Sequence, residues 1–186
     1  MPLDAQRKIV DFWFEEAGPK KWYAKDPAFD AEIARRFEAD LIAQSKILTD
    51  EGRSPWEETA AGTLALVILL DQFPRNMYRD TPNAFAYDPL ALAAAKRALD
   101  QGVDLQVPAK RRAFLYLPLM HSESLEDQDR CIALCESRLA DPENAKYAHA
   151  HRDIIAQFGR FPHRNRILGR DTTEAEAAFL ETHSGF

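Results

Sequence analysis

The stretch Ala60-Ala61-Gly62-Thr63-Leu64-Ala65-Leu66-Val67-Ile68-Leu69-Leu70-Asp71-Gln72-Phe73 is apolar almost all round, and how it folds decides the architecture. A helix that is apolar on every face is one buried against several neighbours. Leu64 to Leu70 could also be a buried strand, but Ala60, Ala61 and Ala65 favour helix and no other segment reads as a partner strand. The stretch is therefore predicted as the central helix of an all-α protein.

Outward from it, helix-period stripes recur with their start signals. Asp precedes Pro at Asp26-Pro27, Asp88-Pro89 and Asp141-Pro142. Asp at N-cap accepts orphan backbone N–H bonds, and Pro at N1 has no N–H to lose, so each pair predicts a helix start. Phe29, Ile33, Phe37 and Leu41 then fall one turn apart on a single packing face. Residues 89–100 read as helix closed by Gly102, and Pro108 opens a short one through Phe114 to Leu117, which Pro118 interrupts. Leu125, Gln128, Ile132, Cys135 and Leu139 make a further stripe, with Ser124 and Asp127 spaced as its cap. Tyr147, His151, Ile154, Ile155 and Phe158 make another, and Thr173 with Glu176 forms a capping box for a last helix. With a first helix near Asp4 to Glu16, the expectation is about eight helices in one all-helical domain spanning residues 1–186.

Composition narrows the function classes. The chain has 186 residues, 46% of them hydrophobic, which rules out disorder as the dominant state. Its net charge of −6 leaves no global footprint for nucleic acid or acidic membranes, so nucleic-acid binding is disfavoured and any anion site must be local. Two cysteines, Cys131 and Cys135, sit one turn apart on an apolar stripe and read as core thiols. The apolar run from Leu64 to Leu70 falls far short of the roughly 20 residues that span a bilayer, and the start MPLDAQRKIVDFWFEE has no long apolar signal region. A cytoplasmic protein is expected.

The sharpest local signal is an internal echo. Phe73-Pro74-Arg75-Asn76-Met77-Tyr78-Arg79-Asp80-Thr81 returns, with insertions, as Phe161-Pro162-His163-Arg164-Asn165-Arg166-Ile167-Leu168-Gly169-Arg170-Asp171-Thr172. The residue before Pro is pushed out of the α region, so each helix is expected to stop at or before its Phe and present Arg and Asn at a fixed corner. One reading is structural: Arg75 and Arg164 satisfy carbonyls at helix ends while the Asn residues cap turns. The other is that the corners face a shared anion pocket, supported by Arg160, Arg164, Arg166 and Arg170 within residues 159–170, which carry no acid.

Among the histidines, His151 shares a face with Ile155 and Phe158 and points inward, whereas His149 points out. His121 joins the Leu125 stripe if that helix reaches back beyond Ser124; Glu123 is the nearest carboxylate but then points away. Asp71, after seven apolar residues, is expected to be semi-buried and paired with Arg75 one turn on. No helix carries two metal ligands at one-face spacing, no Walker or dinucleotide glycine pattern can be written, and no nucleophile elbow is present, so no cofactor or metal is expected.

Ile9-Val10-Asp11-Phe12-Trp13-Phe14, Leu66-Val67-Ile68-Leu69-Leu70-Asp71-Gln72-Phe73-Pro74-Arg75-Asn76, His121-Ser122-Glu123 and Phe158-Gly159-Arg160-Phe161-Pro162-His163-Arg164-Asn165 together resemble the bacterial family called domain of unknown function 924. The resemblance covers nearly the whole chain. It implies an all-helical architecture similar to tetratricopeptide-type repeats and brings no established catalytic or ligand-binding residues. The Trp, Leu-Gly and Tyr positions of the tetratricopeptide signature are not legible here. Two functions follow. The first is a non-enzymatic helical-repeat module that binds a peptide or protein partner. The alternative is a binder of, or an enzyme acting on, a small carboxylate or phosphate metabolite, with Arg75, Arg160, Arg164 and Arg170 gripping the anion and His121, His151 or His163 moving a proton. The candidate ligand-binding set adds Asn76, Glu123 and Asn165.

Overall fold

A computed structural model describes residues 2–183, and among them every regular element is helical. The helices are α1 (Pro2–Asp11), α2 (Pro27–Glu51), α3 (Ala60–Val67), α4 (Phe73–Met77), α5 (Asp88–Asp100), α6 (Leu117–Met120), α7 (Leu125–Arg138), α8 (Pro142–Phe158), α9 (Asn165–Leu168) and α10 (Glu174–Thr182). These ten, with Pro19–Trp22 and Ala109–Arg112 as two further single α-helical turns, exceed the eight expected because proline-headed segments such as α6 stand as separate single turns. None of the helices is long and apolar enough to cross a membrane.

The apolar stretch is the central helix: every residue from 62 to 74 is buried. Around α3 pack α1, α5 and the 3₁₀ turn Pro55–Glu58, while α2 lies against α4. Phe73 closes an aromatic cluster, 4.9 Å from Phe37 and 5.6 Å from Trp13 between ring centroids, and Trp22 donates its indole N–H to the Trp13 carbonyl. Cys131 and Cys135 are both buried in the same core.

The start signals at Asp26, Asp141 and Thr173 act as expected. Asp26 accepts from the N–H groups of Ala28 and Phe29, Asp141 from Glu143, and Thr173 with Glu176 completes the capping box. Three expectations need correction. Asp88 is not an N-cap, since α5 begins at Asp88 itself behind Tyr87 and the carboxylate is spent on Arg75. Ser124 occupies the N-cap of α7 without capping it; the Ser122 hydroxyl donates instead to Asp127. Pro118 opens α6 rather than interrupting a helix.

The first Phe-Pro corner also departs from expectation. The chain does not stop at Phe73 but passes from α3 through a π-helical turn, Ile68–Gln72, directly into α4. The Phe73 N–H reaches the Ile68 carbonyl, five residues back, and this wider turn admits the Pro74 ring. Pro74 has no N–H to return, and the Asp71 carbonyl is taken by the Arg75 guanidinium. At the second corner α8 does end, on left-handed Gly159, and Phe161 leads into a 3₁₀ turn, Pro162–Arg164.

Gly62 lies inside α3, where a Cβ would run into the Trp56 carbonyl and the Gln6 side chain. Gly→Ala within a helix ordinarily stabilises by about 0.5–1 kcal/mol. Here Gly62→Ala is expected to destabilise, by about 1–3 kcal/mol through overpacking, as read by urea unfolding. A stabilised variant would mean that the Pro55–Glu58 turn is not seated against α3.

Candidate functional site

The π turn sets the site. Asp71 is 1% exposed in the most apolar part of the chain, and its Oδ1 lies 2.7 Å from His121 Nδ1 and 3.4 Å from Arg75 Nη1. Gln72 donates to its other oxygen. Burial works against the carboxylate, yet the Arg75 charge and the hydrogen bonds from His121 and Gln72 outweigh it and hold the Asp71 pKa down at about 2. Burial, reinforced by Arg75, pushes His121 the other way, below its ordinary value. The pair at neutral pH is thus an ionised Asp71 and a neutral His121 whose Nδ1–H donates to Asp71, which leaves Nε2 as an acceptor. Among the described residues no side chain or backbone group bonds that nitrogen.

Arg75 continues outward from Asp71. Its Nη1 and Nη2 donate to the two oxygens of Asp88, at 2.8 and 3.0 Å. Arg164, the equivalent residue of the second corner, approaches the same carboxylate, with Nη1 3.7 Å from Asp88 Oδ2. Both guanidinium groups also face the Phe85 ring, Arg164 at 4.8 Å and Arg75 at 5.6 Å from its centroid. The two corners therefore converge on Asp88 and Phe85. The echo extends further, because Arg79 forks onto Asp30 as Arg170 forks onto Glu123.

Beside this meeting point lies a cavity of about 380 Å³. Its wall includes Phe85, Asp88, Leu92, His121, Ser122, Glu123, Arg164 and Leu168. Arg164 is 7% exposed, and its side chain donates no hydrogen bond to any described residue; Nε is sealed off without a partner. The guanidinium also lies over the Phe161 ring, 4.5 Å from its centroid. Burial, and then the nearby Arg75 charge, lower its pKa to about 10, so it is still a cation at neutral pH. Glu123 accepts from the Phe161 N–H and from both ends of the Arg170 fork. Burial would raise the Glu123 pKa, but these donors prevail and lower it.

Of the residues singled out in the sequence, His121, Glu123 and Arg164 line the cavity. Arg75 stands behind Asp88 with its fork occupied, and Arg170 is occupied by Glu123 and by the Asn165 side chain. Asn165 is fully buried and bonds Arg170 and Thr172. Asn76 donates to Asp30, and Arg160 is tied to Glu176 and the Asp171 carbonyl; neither lines the cavity. His151 is buried and donates from Nδ1 to the Tyr147 carbonyl, with its ring 6.4 Å from that of His121. His163 lies against Phe161 with Nδ1 sealed and unpartnered. His121 is not on the Leu125 stripe, because α7 begins at Leu125 and His121 follows α6. Phe85, Asp88 and the pairing of Asp71 with His121 were not among the expected site features. No local pattern links residues 50 positions apart, although an isolated Asp in an apolar helix signals that some distant partner must exist.

Residues 9–184 match the family described as bacterial protein of unknown function, DUF924. The protein belongs to it. Its fold is similar to that of a solved protein of unknown function from Agrobacterium tumefaciens, with a TM-score of 0.90 and 42% sequence identity, covering 98% of this chain and 100% of that one. No curated protein matches the chain.

The buried histidines make stability pH-dependent. Burial lowers His151 from 6.5 to about 3 and His163 to about 4. An unfolded chain binds protons at these positions from about pH 6.5 downward while the folded protein does not, so their stabilising contribution is complete above 6.5 and is lost as pH falls below it. Asp71, whose folded pKa is lowered from 3.8, adds nothing to this window because its contribution disappears only in stronger acid. Urea unfolding at pH 5.0 should show about 2 kcal/mol less stability than at pH 7.5 from His151 alone. His151→Gln should narrow that gap. Equal stability at the two pH values would overturn the assignment of His151 as a buried neutral imidazole.

Proposed function

We propose that the protein binds a small anion, a carboxylate or a phosphate, in the cavity between the two Phe-Pro corners, with the Arg164 fork as its anchor. One observation carries the reading: Arg164 is the arginine of the echo that is buried, cationic and without a hydrogen-bonded carboxylate. Removing a charge from water costs several kcal/mol unless it is compensated. Arg75, Arg160 and Arg170 are compensated by Asp88, Glu176 and Glu123, as structural ties are. Asp88 approaches Arg164 at 3.7 Å but is already shared with Arg75. An anionic ligand would supply the missing partner, and a guanidinium fork suits a carboxylate or phosphate edge. The neutral His121, held by Asp71, stands on the same wall in the protonation state of a general base.

The other reading, a tetratricopeptide-like module for a peptide or protein partner, draws on helix pairing, of which α7 against α8 is the most extensive. It gives Arg164 no role. The test is thermal unfolding of wild type and Arg164→Gln against phosphate, sulfate, 3-phenylpropionate, 3-phenyllactate and phenylalanine at matched ionic strength. An anion at about 100 times its Kd adds roughly 2.7 kcal/mol, which moves the midpoint by several degrees. Wild type is expected to show that shift with at least one anion, and a folded Arg164→Gln to lose it. No shift with any anion, or a shift that survives the substitution, would overturn the proposal.

A further inference from the structure

We infer that the cavity takes a 2-hydroxy or 2-amino acid with an apolar side chain, whose carboxylate lies on the Arg164 fork and whose hydroxyl or ammonium donates to His121 Nε2. The inference rests on the anion-binding reading and names its substrate class.

The charges on the wall separate carboxylate from phosphate. One cationic fork is open, while Asp88 and Glu123 share the same lining. A phosphate would bring nearly two charges and three acceptor oxygens to a single guanidinium flanked by two carboxylates. A ligand carboxylate brings one charge and two coplanar oxygens, the geometry that a fork satisfies. The remaining wall is built of Phe85, Leu92, Leu168 and prolines 82, 89 and 118, against which an apolar side chain is removed from water. About 380 Å³ lies within the range of small-molecule sites.

The uncommitted polar atoms require a donor on the ligand as well. His121 gives its one hydrogen to Asp71, so Nε2 can only accept. The Ser122 hydroxyl donates to Asp127 and its oxygen accepts from the Ser124 N–H, so it has no hydrogen to give a ligand. Asp88, an acceptor by nature, stands 3.7 Å from the fork. A simple carboxylate has nothing to donate to this wall. A donor on the carbon next to the carboxylate stays beside the fork, within the cavity whose wall carries His121 and Asp88, and an ammonium there gains from Asp88 in addition.

The probes are 3-phenyllactate, phenylalanine, 3-phenylpropionate and inorganic phosphate, titrated calorimetrically into wild type and Arg164→Gln, with the ¹⁵N resonance of His121 Nε2 followed in wild type. A hydrogen bond that replaces an unmet acceptor is worth up to about a tenfold change in affinity. The expected result is that 3-phenyllactate or phenylalanine binds about tenfold more tightly than 3-phenylpropionate and phosphate. That binding should fall at least tenfold in Arg164→Gln, and the His121 Nε2 resonance should move with the tight ligand and not with 3-phenylpropionate. The NMR readout needs no variant, so a misfolded mutant would not leave the question open. Arg164-dependent binding of phosphate in preference to the acids, 3-phenylpropionate as tight as its substituted analogues, or an unmoved Nε2 resonance would each overturn this inference while leaving the anion-binding reading intact. Absence of Arg164-dependent binding by all four probes would overturn both.

Discussion

An ionised carboxylate at the centre of the most apolar helix is the constraint to which the rest of the site answers. Asp71 is buried among Leu70, Phe73 and their neighbours, where an unpaired charge would cost far more than a domain can absorb. Its partners come from three places in the chain: Gln72 beside it, Arg75 one turn on, and His121 beyond α6. Each partner then positions something else. Arg75 draws Asp88 and hence the start of α5 against α4, and His121 fixes the turn that carries Ser122 and Glu123 to the cavity. The cavity wall is in this sense the outer layer of a network whose innermost member never touches it.

The repeated corners meet in this network without being alike. Their backbones differ, one continuing as helix through its proline and the other opening a 3₁₀ turn. Their side chains nevertheless keep parallel tasks: a buried Asn, an arginine forked onto a carboxylate of another element, and an arginine that comes to Asp88 and Phe85. The difference in ending lies in geometry at one carboxylate. Arg75 holds both Asp88 oxygens at hydrogen-bonding distance, so the second guanidinium is held by charge and by the Phe85 and Phe161 rings alone.

Local chemistry was legible in proportion to how local it was. The all-helical architecture follows from periodicity and caps, and Asp26, Asp141 and Thr173 cap the helices they precede. The echo marks both corners in the sequence itself. What failed were local rules overridden by a distant partner. Asp88-Pro89 has every mark of a cap, but a bidentate guanidinium is a stronger claim on a carboxylate than two backbone N–H groups. Pro74 should end a helix, but the preceding turn widens to admit it. The helix that would have put His121 on the Leu125 stripe does not reach back beyond Ser124, so the imidazole is aimed by α6 rather than by α7. Arg75, one turn on, was legible as a partner of Asp71, whereas His121 was not, because nothing in a sequence brings position 71 to position 121.

The π-helical turn between α3 and α4 has a consequence for the kinds of change this region can accommodate. A π turn holds one residue more than the α-helical geometry on either side of it, and such bulges are common at functional sites. Deleting a single residue from 68–72 would remove that extra residue and let the segment close into continuous α-helix, with the helix beyond it left on the same face. Phe73 and Arg75 would keep their directions, and the change would fall on Pro74, whose ring meets the carbonyl of the preceding turn in regular α-helix. The proline, rather than the register of the side chains beyond it, therefore ties this segment to its present length.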